Sequence, residues 1–108
     1  MERLDVHTMQ AMQKALQEKY REQWGGLYPE KAKQMLLWMI AEVGEAAQVI
    51  KKRGSDAIME DGGVRADFVE EMCDVMMYFH DVLLCFGITP EEFAEIYRKK
   101  HERNMNRW

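Results

Sequence analysis

EEMCDVMMYFHD, residues 70–81, decides the fold. It lies within a largely apolar run from Asp67 to Phe86 that ends at Gly87, and it contains no proline and no strand-like alternation. Spaced at 100° per residue, Phe68, Met72, Val75, Phe79, Val82 and Phe86 make one stripe of a helix. Beside it runs a second stripe of Asp67, Glu71, Asp74, Tyr78 and Asp81. Few positions between Glu71 and Phe86 suit solvent, so this helix is predicted to be central.

The stretch AEVGEAAQVIKK, residues 41–52, repeats the arrangement. Met35, Met39, Val43, Ala46 and Ile50 form its apolar stripe, with Trp38, Glu42, Glu45 and Val49 alongside. Working outward, the pattern predicts four helices. The first runs from about Asp5 to Tyr20, with Val6, Met9, Met12 (or Gln13) and Leu16 on one side. WGGLYPE, residues 24–30, is a break. The second helix runs from Pro29 to Lys52, with Lys51, Lys52 and Arg53 suited to its negative end and Gly54 as its stop. RGSDAIMEDGGVRA, residues 53–66, reads as a loop by its glycines and acids. Asp67 and Glu70 read as a capping box for the third helix, and Thr89-Pro90-Glu91-Glu92 as another for a fourth, from Pro90 to Asn104. The expectation is one all-α domain over residues 1–108, a four-helix protomer of an oligomeric bundle.

Composition narrows the function. A chain of 108 residues can bury only a modest core, so self-association is expected to cover apolar surface. The ten methionines read as soft, helix-favouring core fillers. A formal net charge of −4 with no dominant basic face argues against a nucleic acid polymer as partner. Cys73 and Cys85 sit in apolar runs and read as buried thiols, not a disulfide framework. No uncharged run of about 18 apolar residues occurs and no signal pattern opens the chain, so a cytoplasmic protein without a membrane partner is expected.

Residues three apart are neighbours on a helix, so Glu42 with Glu45, and Glu71 with Asp74, can each reach one point. If the two helices are antiparallel neighbours, four carboxylates converge. Buried like charges need partners. Basic side chains could pair them, or a hard divalent cation could bind them; the two helices hold few internal lysines or arginines, which favours the cation. Mg²⁺, or Mn²⁺, takes oxygen ligands, and Mg²⁺ keeps waters that a phosphate can replace.

E42-V-G-E45, then 25 residues, then E71-M-C-D74 resembles the E-x-x-E…E-x-x-D signature of the MazG-like nucleotide pyrophosphohydrolases, in the all-α NTP pyrophosphatase superfamily. The resemblance extends into the tail YRKKHERNMNRW, where Lys100, Asn104 and Arg107 match a K-x-x-x-N element followed by a basic residue. It implies hydrolysis of a nucleoside triphosphate between the α- and β-phosphates, giving a monophosphate and pyrophosphate. It also implies that Glu42, Glu45, Glu71 and Asp74 are Mg²⁺ ligands and that Lys100, Asn104 and Arg107 contact phosphate; one of the four acids can take the water's proton, and Glu42 or Glu45 is the one expected here. Tyr78, Trp38 and Trp24 become nucleotide contacts, although each tryptophan equally suits a core. Members assemble as dimers, or as tetramers built from dimers, so a homodimer or tetramer is expected.

Three rivals compete. His80 after Phe79 resembles the Tyr-His pair of phosphoribosyl-ATP pyrophosphohydrolases, but the opening residues 1–20 do not resemble that enzyme, and a lone helical histidine is more often structural. A di-iron carboxylate bundle needs Glu-x-x-His, whereas the residue at i+3 here is Glu45 or Asp74. A helical adaptor whose acids meet a basic partner needs no metal at all.

Overall fold

The computed structural model describes residues 3–108, and every regular element among them is helical. The order is α1 (Val6–Lys19), α2 (Arg21–Trp24), a single 3-10 turn (Pro29–Lys31), α3 (Ala32–Arg53), α4 (Ser55–Glu60), α5 (Gly62–Cys85) and α6 (Pro90–Met105). The four long helices are those the pattern predicts, and two short ones are added.

Their ends follow from side-chain chemistry. Asp5 accepts the Thr8 amide at 2.8 Å and starts α1. Thr89 Oγ1 accepts the Glu92 amide at 3.1 Å, as expected for α6, with Pro90 in the first turn. Gly87, at φ 63°, ends α5: its amide bonds Leu84 and the Ile88 amide bonds Leu83, a Schellman closure.

Two expectations about the stretch between the second and third long helices need correction. Residues 53–66 are not a loop. Ser55–Glu60 form a helical turn and a half, and α5 begins at Gly62. The cap of α5 is therefore Asp61, not Asp67, because the Asp61 carboxylate accepts the amides of Gly63 at 2.9 Å and Val64 at 3.3 Å. Val64 is buried one turn later, and its packing outweighs the poor helix propensity of two glycines.

Helices α3 and α5 form the centre as an antiparallel hairpin. Met35 packs with Cys85 and Ala32 at one end, Trp38 meets Tyr78 edge-on at 6.0 Å, and Glu42 meets Glu71 and Asp74 further along. The covered positions of α3 are Ala32, Met35, Met39, Glu42, Ala46 and Val49, and a matching set on α5 is Val64, Phe68, Glu71, Val75, Tyr78, Val82 and Cys85, with Asp74, Phe79, His80, Asp81, Leu83 and Leu84 covered as well. Both run with the alternating three-and-four spacing of a coiled-coil seam. The acids thus occupy the seam, while Val43 and Ile50, expected inside, are 48% and 45% exposed.

Helix α1 lies on α5 by part of the stripe expected, with Val6 and Met9 partly covered and Gln13, not Met12, completing it. Met12 and Leu16 are exposed, and the buried residues are Gln10 and Gln13. Gln10 donates to the Ile88 carbonyl at 3.1 Å, bracing the turn into α6. Helix α6 turns 110° from α5 and packs on α1. No single helix among the described residues is long and apolar enough to cross a membrane.

The packing leaves much apolar surface uncovered. Leu36, Leu37, Ile40 and Val43 on α3 and Val69, Met72 and Met76 on α5 are all more than a third exposed. The accessible surface is 8531 Å², where about 6,300 Å² is usual for a monomer of 12.8 kDa. The radius of gyration is 16.2 Å against about 13 Å for a compact chain of this length.

Candidate metal centre and adjoining cleft

Glu42 of α3 and Glu71 and Asp74 of α5 each offer a carboxylate oxygen, and these oxygens lie within 4.8 Å of one another. All three residues are half-buried. Antiparallel pairing explains the convergence: a seam position of α3 faces two positions three apart on α5. None of the ion pairs among the described residues involves any of the three. The Glu71 carboxyl is pushed up from 4.5, first by desolvation, then by the Glu42 carboxyl within hydrogen-bonding reach and by the charges of Asp74 and Glu45. A seam that gathers anions without a cation fits a small, hard, oxygen-seeking cation. Glu45 stands apart: it is exposed and outside the triad, although Glu71 feels its charge.

Glu42 and Asp74 also line a cleft of about 650 Å³ between α1, α3 and α5. Trp24, Trp38 and Tyr78, the three aromatic residues expected at the nucleotide, all line it. Trp38 leans edge-on against Tyr78, and Trp24 stacks on Tyr20 at 4.7 Å. Trp24 is held by the turn that follows it. Gly25 and Gly26 both take left-handed φ values, 84° and 75°, which side chains resist. Lys31 then ties that turn down by donating to the carbonyls of Trp24 and Gly26. Burial raises the Tyr78 hydroxyl above 10.0, with Glu42, Asp81 and Asp74 adding to the effect.

The end of the cleft away from the triad contains a residue to which sequence reasoning gave no role. Asp81 is 2% exposed. Its Oδ1 accepts Gln13 Nε2 at 2.9 Å and Gln17 Nε2 at 3.1 Å. Burial pushes its carboxyl above 3.8, while the two amides and the Lys31 charge pull the other way. The available signal was the glutamine series 10, 13 and 17 on α1, at helical spacing opposite the acid stripe.

The tail is not brought to this site within one protomer. Phe93 packs on Phe79 at 5.2 Å and His7 pairs with Glu91 at 3.7 Å, but Lys100, Asn104 and Arg107 belong neither to the cleft lining nor to the triad. Helix α6 ends at Met105, so Arg107 leaves the face of Lys100 and Asn104 and lies over the Trp108 ring at 5.1 Å. His80 is buried, and that desolvation lowers its pKa; neither ring nitrogen has a partner among the described residues, and the side chain lines a methionine-rich groove between α1 and α5. No protein-family model matches the chain, and neither does any curated protein or solved structure.

Proposed function

We propose that this chain is a Mg²⁺-dependent nucleoside triphosphate pyrophosphohydrolase of the MazG-like type, acting in the cytoplasm. One observation carries the reading: three carboxylates converge between two core helices, Glu42 and Glu71 at seam positions and Asp74 beside them, and two of the three line the aromatic cleft. Placing acids in an apolar seam is costly. A solvated acidic face would not require it, and a cation site does.

Glu42, Glu71 and Asp74 would hold Mg²⁺, or Mn²⁺, which supplies positive charge to the phosphate oxygens. The chain's own residues do the rest. Trp24, Trp38 and Tyr78 hold the nucleoside and orient the triphosphate toward the acids. A water oxygen bonds to the α-phosphorus, the bridging oxygen leaves with pyrophosphate, and the water's proton passes to a carboxylate. Glu45 suits that last role, being beside the triad and not engaged in it. Phosphoryl transfer of this kind rests on positioning and charge neutralisation, not on a covalent nucleophile.

The chain works as a homodimer, or as a tetramer of paired dimers. The surplus of about 2,200 Å² over a compact monomer is of the size that obligate interfaces cover. Assembly also offers Lys100, Asn104 and Arg107 a route to phosphate that the single protomer lacks. Incubation with a panel of ribo- and deoxyribonucleoside triphosphates, with and without Mg²⁺, tests the function. Metal-dependent release of pyrophosphate from at least one is expected, and none from any would refute it.

A further inference from the structure

The inner end of the cleft carries information beyond the chemistry at its mouth. Asp74, Tyr78 and Asp81 follow one another along the same face of α5. At 1.5 Å per residue the Cα atoms of Asp74 and Asp81 are about 10 Å apart. A nucleotide whose phosphates meet the triad can therefore direct its base toward Asp81, along the cleft that Trp38, Trp24 and Tyr78 line.

The groups at that end are acceptors. Both glutamine amides bind the same oxygen of Asp81, Oδ1, and neither takes Oδ2. Gln17 also lines the cleft, and its Oε1 is buried without a partner. Its orientation is fixed, because turning the amide over would set Oε1 against the Asp81 carboxylate. Lys31 does not fill the gap, since its ammonium is held by the backbone of the Trp24 turn. The buried Gln17 Oε1, next to an Asp81 carboxylate whose Oδ2 takes neither amide, asks for donors from a ligand.

Resting on the nucleotide reading above, we propose that Asp81 and Gln17 select bases bearing an exocyclic amino group, accepting its two hydrogens, and reject uracil and thymine. An amino nitrogen satisfies both acceptors. The O4 carbonyl of uracil or thymine would face them oxygen to oxygen, leaving all three groups dry and unpaired. Sites that reject an analogue in this way discriminate far more strongly than apolar pockets do.

dCTP and dUTP test this directly, being the same size and differing at the edge in question. The wild-type kcat/KM should favour dCTP on the order of a hundredfold. Asp81→Asn keeps an oxygen for Gln13 and Gln17 and offers a donor where Oδ2 stood, so the ratio should collapse or invert. Gln17→Met removes the second acceptor together with one of the two donors to Asp81 Oδ1, and should shrink the ratio while Gln13 still holds Asp81. A wild-type ratio near one, or a ratio unchanged in both variants, overturns the inference and leaves the hydrolase reading intact. Calorimetric binding of dCMP and dUMP separates the two claims. Asp81-dependent preference for dCMP without any triphosphate cleavage would support the base selection and sink the activity. No binding of either monophosphate, with no cleavage, would overturn both.

Discussion

Replacing Gln13 by leucine should reveal how much the buried Asp81 depends on its amides. Asp81 is 2% exposed and receives two side-chain donors on one oxygen. Gln13→Leu removes the shorter bond and keeps the volume. A hydrogen bond to a charged group contributes about 1.5–3 kcal/mol, and a buried acceptor left short of donors loses about that much. With roughly 4–8 °C of Tm per kcal/mol for a domain of this size, the melting point should fall by about 10 °C. Replacing both partners should largely restore it, since Gln13→Leu/Asp81→Leu leaves an apolar contact and lets Gln17 turn to the cleft. Thermal unfolding of the four proteins forms a double-mutant cycle with an expected coupling of about 1.5–3 kcal/mol. The loss should depend on pH. Burial raises the folded pKa of Asp81 above 3.8, so below that value the carboxyl is protonated in both states and Gln13 matters little. The gap between wild type and Gln13→Leu should open as pH climbs through the raised folded pKa. Additive effects across the cycle, or a gap independent of pH, would refute the idea that the amides hold a buried carboxylate.

Other predictions concern the triad, the surface and the tail. The folded pKa of Glu71 is raised, so its protonation stabilises the metal-free chain at low pH, and that contribution is lost as pH rises past 4.5 through the folded value. Buried His80 acts in the opposite sense, costing stability below 6.5, so Glu71→Gln is the proper subtraction. Without metal, Glu71→Gln should melt above wild type at pH 7.5 and match it near pH 4; a lower melting point at pH 7.5 would contradict the repulsion. Asp74→Asn should keep the helical circular dichroism spectrum yet lose Mg²⁺-dependent stabilisation in thermal shift, and an undiminished shift would remove Asp74 from the ligand set. Met72→Glu with Met76→Glu places charge on the uncovered face of α5 and should reduce the sedimenting mass to that of one chain; an unchanged mass would locate the interface elsewhere. Truncation after Arg98 retains Phe93 on Phe79, so folding and Mg²⁺ affinity should persist while kcat/KM falls on the order of a hundredfold, and full activity would leave the tail no phosphate role.

The long helices were legible because their signals are local. Asp5, Thr89 with Glu92, and Gly87 announce their ends through hydrogen bonds to nearby amides and carbonyls. What the sequence hid depends on partners distant in the chain. Residues 53–66 look like a loop because Gly62 and Gly63 are poor helix formers, yet Asp61 caps them and Val64 anchors the turn. Apolar stripes misplaced Val43 and Ile50 because such a reading assumes that apolar residues face inward. Here Glu42 and Glu71 hold seam positions, and the displaced aliphatic side chains lie on the outer surface. The same assumption put Leu16 on the inner stripe, left Met12 and Gln13 as alternatives and passed over Gln10; the burial of Gln10 and Gln13 makes sense only once the Ile88 carbonyl and Asp81 are opposite them. The convergence of Glu42, Glu71 and Asp74 was legible from i, i+3 spacing on two helices. That Glu45 stays outside the triad was not, because it depends on how α3 is rotated against α5.

The most direct measurement of the central claim is hydrolysis of a cleaved nucleoside triphosphate in heavy-oxygen water with Mg²⁺, followed by mass spectrometry of both products. Attack at the α-phosphorus beside the Glu42, Glu71 and Asp74 triad places the label in the nucleoside monophosphate and leaves pyrophosphate unlabelled, with no turnover when the metal is chelated. Label in the pyrophosphate, release of orthophosphate instead, or turnover that persists without metal would contradict it.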